Sequence, residues 1–305
     1  MSNPSHKATV QALVASVLIF GAASSMAAEK VFDRSFSVNP TGLLTVNADG
    51  ARISVVGSDT NQVVVHIFAK ASQTDLDNMR MSATQSDGGV NVELRTEHKS
   101  WFGWGSWTMD AHIEVKVPRA YEVDAKTSGG DVRLESVSGP ARLRTSGGGI
   151  EARNATGGLD GYTSGGGVHL ESVSGLIQVH TSGGDIRANN IVGDIDAHTS
   201  GGEVRLLHVD GKIRADTSGG GVRCELVGAN RGISASTSGG GVQLTMPRDV
   251  HGTLDAESSG GEIISDFKVA TTRATEHRLS GEINGGGERI YARTSGGDIK
   301  ISASE

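Results

Sequence analysis

Along residues 163–180, TSGGGVHLESVSGLIQVH, apolar side chains fall at Val168, Leu170, Val173, Ile177 and Val179, with polar or small residues between them. The same slots recur as Val132, Leu134, Val137, Ala141 and Leu143, as Ile186, Ala188, Ile191, Ile195 and Ala197, and as Val204, Leu206, Val209, Ile213 and Ala215. Alternation at i, i+2 in two short stretches predicts two strands per unit, each with one face inward, separated by turns at the Gly-rich positions. The period and the density of Gly exclude helix.

The tetrapeptide Thr-Ser-Gly-Gly marks the repeat. It begins at Thr127, Thr145, Thr163, Thr181, Thr199, Thr217, Thr237 and Thr294, with degenerate copies at Ser258 and Leu279. The first five intervals are 18 residues, and later ones depart from that length. Two short strands cannot bury their apolar faces alone, so successive units must stack, each strand pairing with its equivalent in the next coil. The expectation is an all-β, single-chain β-solenoid (a β-helix) of about ten coils, roughly 50 Å long at ~4.8 Å per coil, with its handedness left open. Continued alternation turns each Thr of the tetrapeptide inward, where its hydroxyl can bond a backbone group of the neighbouring coil. These threonines are the expected structural corners, with Gly allowing positive φ.

Before the repeats, LLTVN from Leu43, ARISVV from Ala51, QVVVHIF from Gln62, VNVEL from Val90 and HIEVKVP from His112 read as longer strands, and 74–81 as a short helix or a loop. The organisation expected is a signal peptide at 1–27, an N-terminal β-strand cap region at 28–120 and the solenoid at 121–305. All three tryptophans lie in Trp101-Phe-Gly-Trp-Gly-Ser-Trp107. On a hairpin tip Trp101, Phe102, Trp104 and Trp107 would form an exposed patch able to stack on sugars; folded back, they would be a hydrophobic lid.

Residues 1–28 carry a polar start with Lys7, an apolar run from Val10 to Ala23 and then small residues, the order of a secretory signal peptide. Nothing later is apolar enough to span a bilayer as a helix, which predicts export to the periplasm or the cell surface without a transmembrane segment. The 44 Gly among 305 residues are about twice the usual share, while aromatics are 4%, consistent with a slim core of small and β-branched side chains. Net charge is −7 with the signs interspersed, so nucleic acid is not the expected partner. The single Cys224 excludes an intramolecular disulfide.

An early Asn-Ala-Asp-Gly-Ala-Arg-Ile-Ser-Val-Val-Gly segment, then Val115-Lys-Val-Pro118 leading into Ser128-Gly-Gly-Asp-Val and tandem S-G-G-[DEG]-[VI] coils, resembles the bacterial DUF4097 family over about residues 30–305. Its members are β-strand-repeat proteins labelled as adhesins. The resemblance implies a cell-envelope binding or scaffold role and carries no catalytic motif. The regular Thr-Ser corners and the aromatic heptapeptide depart from the family pattern.

The chemistry-bearing residues are few. The Gly pairs feed strands rather than a helix N-terminus, so they do not form a phosphate loop. The slot after them reads Asp131, Gly149, Gly167, Asp185, Glu203, Gly221 and Gly241, which lacks the regular Asp of calcium-binding repeats. Asp185 and Glu203, with Arg187 and Arg205 two residues on, read as a charged face with diagonal pairing. His180 and His198 stack near Asp196 and Asp216 without a firm third ligand, so no metal and no cofactor are expected. The Ser128, Ser146, Ser164, Ser182, Ser200 and Ser218 column lacks a fixed His and acid. The sequence therefore supports a non-enzymatic, adhesin-like or scaffold-like solenoid binding an envelope or extracellular polysaccharide or protein, with end-to-end self-association as a further mode. The alternative is a polysaccharide lyase or hydrolase using carboxylates on a solenoid face, where Asp249, Asp255, Glu257, Glu262 and Asp266 collect in an irregular stretch.

Overall fold

The computed structural model describes residues 28–86, 88–97 and 110–304, which form two long sheets of 13 and 14 strands and one short helix, Gln73–Asp77. Each 18-residue unit sends one strand to each sheet. In one sheet Ile150, Val168, Ile186, Val204 and Val222 stand in register; in the other, Leu159, Ile177, Ile195 and Ile213 do. All these ladders are parallel, so the chain is a flattened β-solenoid whose two inner faces meet in one slim core. Val168, Leu170, Val173, Ile177 and Val179 are all buried, as the alternation requires.

The Thr corner is a two-coil clamp. Thr181 Oγ1 donates to the Gly166 carbonyl one coil back at 2.7 Å and accepts the Gly184 N–H of its own coil at 3.3 Å. Thr145, Thr163, Thr199, Thr217, Thr237 and Thr294 donate in the same way to Gly130, Gly148, Gly184, Gly202, Gly220 and Gly240, while Thr127 uses Ala51 and Ser258 uses Gly297. The hydroxyls are thereby satisfied although the side chains are buried.

Two details differ from the sequence reading. The corner glycines are not among the residues with positive φ. They are small because the coils touch there: a Cβ on Gly184 would collide with the Gly166 carbonyl. Left-handed backbone instead lies on the opposite side, at Ser136, Asn154, Ser172, Asn190 and His208, with φ between 51° and 57° in the cases of Asn154 and Ser136, and at Gly193 (φ 126°). Ser, Asn and His can supply such a bend because a short polar side chain tolerates it better than a β-branched one. Second, the degenerate copy at Leu279 is no corner; it falls inside the antiparallel strand Arg278–Ile283, where Gly281 pairs with Leu254 and Thr271.

The ends are interleaved. The coil of Leu43–Ala48 and Arg52–Ser58 lies between the outer coil of Gly89–Thr96 and Asp110–Pro118 and the first TSGG coil, Glu122–Thr127 and Val132–Glu135. At the other end, Arg289–Thr294 and Ile299–Ala303 are inserted between Ile233–Thr237/Val242–Met246 and Gly252–Ser258/Ile263–Ser265. Antiparallel strands then continue the sheets outward: Gln62–Ala71 and Ala28–Ser37, and Met79–Ser86, at the first end; Arg278–Ile283 and Val269–Thr275 at the second.

Candidate functional site

Because the inner faces are filled, the groups free to act among the described residues lie on the outward columns, which the parallel register turns into ladders. On the 14-stranded sheet, Tyr162, His180 and His198 stack with nearly parallel rings, at centroid separations of 5.2 and 4.9 Å. Partial burial, and then the neighbouring charge of His198, push the His180 imidazole below its ordinary pKa, so its position in the ladder favours the neutral ring. The next residue down the column, Asp216, is taken by Ser236 and by Arg214 at 3.0 Å, and no cluster of three metal-ligating side chains occurs among the described residues.

On the 13-stranded sheet, charges pair mostly within a coil rather than diagonally: Arg187 meets Asp185 at 2.7 Å and Arg205 meets Glu203 at 3.0 Å. Residues two apart on a strand share a face, so the shorter reach wins. Arg133 does cross to the next coil, meeting Glu151 at 2.7 Å. Along the slot after each corner, carboxylates and glycines alternate in blocks, and the glycine blocks open two recesses. One, of about 360 Å³, spans Gly149 and Gly167 between Asp131 and Asp185; the other, of about 290 Å³, spans Gly221 and Gly241 between Glu203 and Asp298.

At the left-handed bend, a polar group has no counterpart in the sequence reading. Asn189 and Asn190 both donate to Glu171, at 3.2 and 2.9 Å, and the His208 ring lies 2.9 Å from the Asn189 carbonyl oxygen. The recurring Ser, Asn or His three residues before Gly139, Gly157, Gly175, Gly193 and Gly211 was the available signal, masked by its resemblance to ordinary surface polarity.

Three of the five carboxylates of the irregular stretch, Asp255, Glu257 and Asp266, are engaged by neighbouring groups, while those of Asp249 and Glu262 meet none among the described residues. Asp255 meets Arg289 at 2.8 Å, Arg278 at 3.1 Å and Ser280 at 3.2 Å. Burial alone would raise its pKa, but hydrogen bonds from Arg289 and Ser280 and the charges of Arg278 and Arg289 together bring it below the ordinary value. Glu257 lies 4.0 Å from Arg278, and Asp266 accepts the Ala303 N–H at 3.3 Å. An ionised, triply held carboxylate is a poor proton donor. The exposed Ser128, Ser146, Ser164, Ser182, Ser200 and Ser218 hydroxyls meet no imidazole or carboxylate among the described residues. Cys224 is fully enclosed, and burial pushes its thiol up to about 12. Trp101, Phe102, Trp104 and Trp107, and the signal segment 1–27, lie outside the described residues. No helix among the described residues is long and apolar enough to cross a membrane.

These features define a two-sheet, parallel β-solenoid with ladder-covered outer faces. The chain belongs to the Toastrack DUF4097 family, whose model matches residues 43–302. No curated protein matches it. Among solved structures it is similar to a "putative adhesin" of Bacteroides fragilis, at 13% identity and a TM-score of 0.45, covering 89% of this chain and 97% of that one. A "putative adhesin" of Parabacteroides merdae (12%, TM-score 0.30) and a "putative lipid binding protein" of Parabacteroides distasonis (11%, TM-score 0.27) are each matched over 90% of this chain and 97% of theirs. Likeness this distant transfers neither ligand nor partner.

Proposed function

We propose that this is a non-enzymatic, exported β-solenoid that presents a long repetitive face to an envelope or extracellular partner, in an adhesin-like or scaffold-like way. The observation that carries the reading is the state of the outer columns: coil after coil, acidic groups are tied into ion pairs or backbone hydrogen bonds, including Asp255 in the stretch best suited to irregular chemistry. Such a surface is rigid and repeats at the coil spacing, which suits extended contact with a polymer or a flat partner. Export rests on the apolar run and small residues of 1–27. Trp101, Phe102, Trp104 and Trp107 are proposed as contacts on the strength of their clustering in the sequence.

The test is incubation of the purified chain with a panel of envelope and extracellular polysaccharides, following retention and the appearance of new chain ends together. Retention without cleavage is expected. New chain ends would overturn the reading in favour of a lyase or hydrolase. Replacing the four aromatics with Ala is expected to abolish retention on a neutral polymer while leaving the melting temperature unchanged; a large fall in melting temperature would mean that they are part of the core.

A further inference from the structure

The recess over Gly221 and Gly241 has the donors of an anion site. Along this column the backbone N–H points back across the slot of the preceding coil, as three of the chain's own carboxylates demonstrate. Asp131 Oδ1 accepts the Gly149 N–H at 2.8 Å, Asp185 Oδ1 accepts the Glu203 N–H at 2.8 Å, and Asp298 Oδ1 accepts the Glu262 N–H at 3.0 Å. Where the slot holds Gly, that carboxylate is missing. Gly221 thus leaves the Gly241 N–H, and Gly241 leaves the Asp298 N–H, without an acceptor, while Glu203 is turned to Arg205 at 3.0 Å and leaves the Gly221 N–H. Among the described residues none of these three amides meets another acceptor. They stand in line about 4.8 Å apart, the spacing of parallel strands.

Cationic side chains border the same recess. Arg223 and Lys300 are exposed on its wall and pair with no carboxylate among the described residues. In the recess over Gly149 and Gly167 two of the three arginines, Arg133 and Arg187, are held by Glu151 and Asp185 at 2.7 Å, which leaves Arg52 as its one arginine without a carboxylate among the described residues.

We propose that the Gly221/Gly241 recess binds the oxyanions of an acidic polysaccharide, which take the places on the Gly221, Gly241 and Asp298 amides that Asp carboxylates take on the equivalent amides elsewhere. Arg223 and Lys300 supply the opposite charge. The glycine floor lets a sugar ring approach the backbone, and Glu203 and Asp298 at the two ends retain lone pairs for its hydroxyls. A net charge of −7 argues against a nucleic acid as the source of the oxyanions. This inference deepens the binding reading above and rests on it.

The experiment measures binding of the full chain to polygalacturonate, heparin and neutral dextran by titration calorimetry at low and high salt. Binding to one or both polyanions, weakened by salt, is expected; polygalacturonate alone would identify carboxylate groups, heparin alone sulfates. Gly221→Asp places a carboxylate in the slot. Its Cβ would sit 3.3 Å from the Gly241 carbonyl oxygen and its backbone is not left-handed, so it should fold and cap the Gly241 N–H itself. Affinity should then fall about tenfold or more with the melting temperature unchanged or raised. The double variant Arg223→Gln/Lys300→Gln should weaken binding similarly without touching the floor, and decides the matter if Gly221→Asp does not fold. The proposal is overturned if the wild type binds neither polyanion, if it binds dextran equally well, or if the folded variants keep full affinity. Binding to dextran alone would leave the broader binding reading intact; binding to none of the three would count against both for polysaccharides.

Discussion

Between Glu122 and Met246 coils stack in the order in which the chain makes them, whereas at both ends a coil is inserted between two others. In the middle each strand finds its partner one repeat away, as Ile186 finds Val168 and Val204. At the C-terminal end Val242 pairs with Ile299 and Ile233 with Ile290, across an intervening coil and hairpin. A purely sequential stack would leave its last coil with one neighbour and an open edge. Interleaving gives the chain's final coil a neighbour on each side and hands the outermost position to a coil whose strand in the 14-stranded sheet is continued by antiparallel strands, leaving only the three-residue Ile263–Ser265 at the edge of the other sheet. The middle is thus held by cheap, repeated local closure, and the ends by fewer but longer closures that resist fraying.

The largest test of that contrast removes residues 289–305. It strips Ile290, Ala292, Ile299 and Ile301, all fully buried, from the core and unpartners the coils on both sides. At about 1.5–3 kcal/mol per buried Ile, the loss is several kcal/mol confined to the end. Limited proteolysis should then cut within 247–288 while 122–246 survives; continued protection of 247–288 would mean that the insertion does not hold the end.

A smaller effect probes the clamp that the middle repeats. Thr199→Val keeps the shape but leaves the Gly184 carbonyl and the Gly202 N–H without the Thr hydroxyl, which should cost about 1–3 kcal/mol in urea unfolding. Thr199→Ser should recover most of it, as Ser258 makes the equivalent bonds at the end coil, to Gly297 at 2.9 Å and from Gly261 at 2.9 Å. Equal stability of the Val variant would show that the clamp is dispensable where local closure is repeated.

The smallest effect is a pH dependence carried by the imidazole ladder of the middle. Burial and His198 lower the His180 pKa in the folded chain, so as pH falls below the ordinary value of 6.5 the unfolded chain takes up the proton first. The contribution is present above that pH and is lost on acidification through the folded-state pKa. The melting temperature should therefore fall modestly from pH ~7 to pH ~5, and His198→Gln should flatten that slope. A slope unchanged by the substitution would place the acid sensitivity elsewhere.

Much of the middle was readable from residue pattern. Val168, Leu170, Ile177 and Val179 alternate, and alternation marks an inward face whatever the partner. The role of the corner Gly was misread, because a close approach between coils and a positive φ ask for the same residue. The left-handed bend at Ser136, Asn154, Ser172, Asn190 and His208 was missed, since Ser, Asn and His also occur on any solvated strand. The recess residues were legible as letters, Gly221 and Gly241 in a slot that elsewhere carries Asp, but not as a site. That required knowing that the column's amides point across the preceding slot.

The sequence by itself determined the strand, the two-strand coil and the family, because each depends on spacing within one repeat or on motifs repeated along the chain. Only the tertiary structure decided which coil sits beside which at the ends and which way the slot amides face. One Val- or Ile-lined coil can stack on almost any other, so neighbour choice is settled by chain closure and by the need to satisfy the sheet edges, and neither is written in a local pattern.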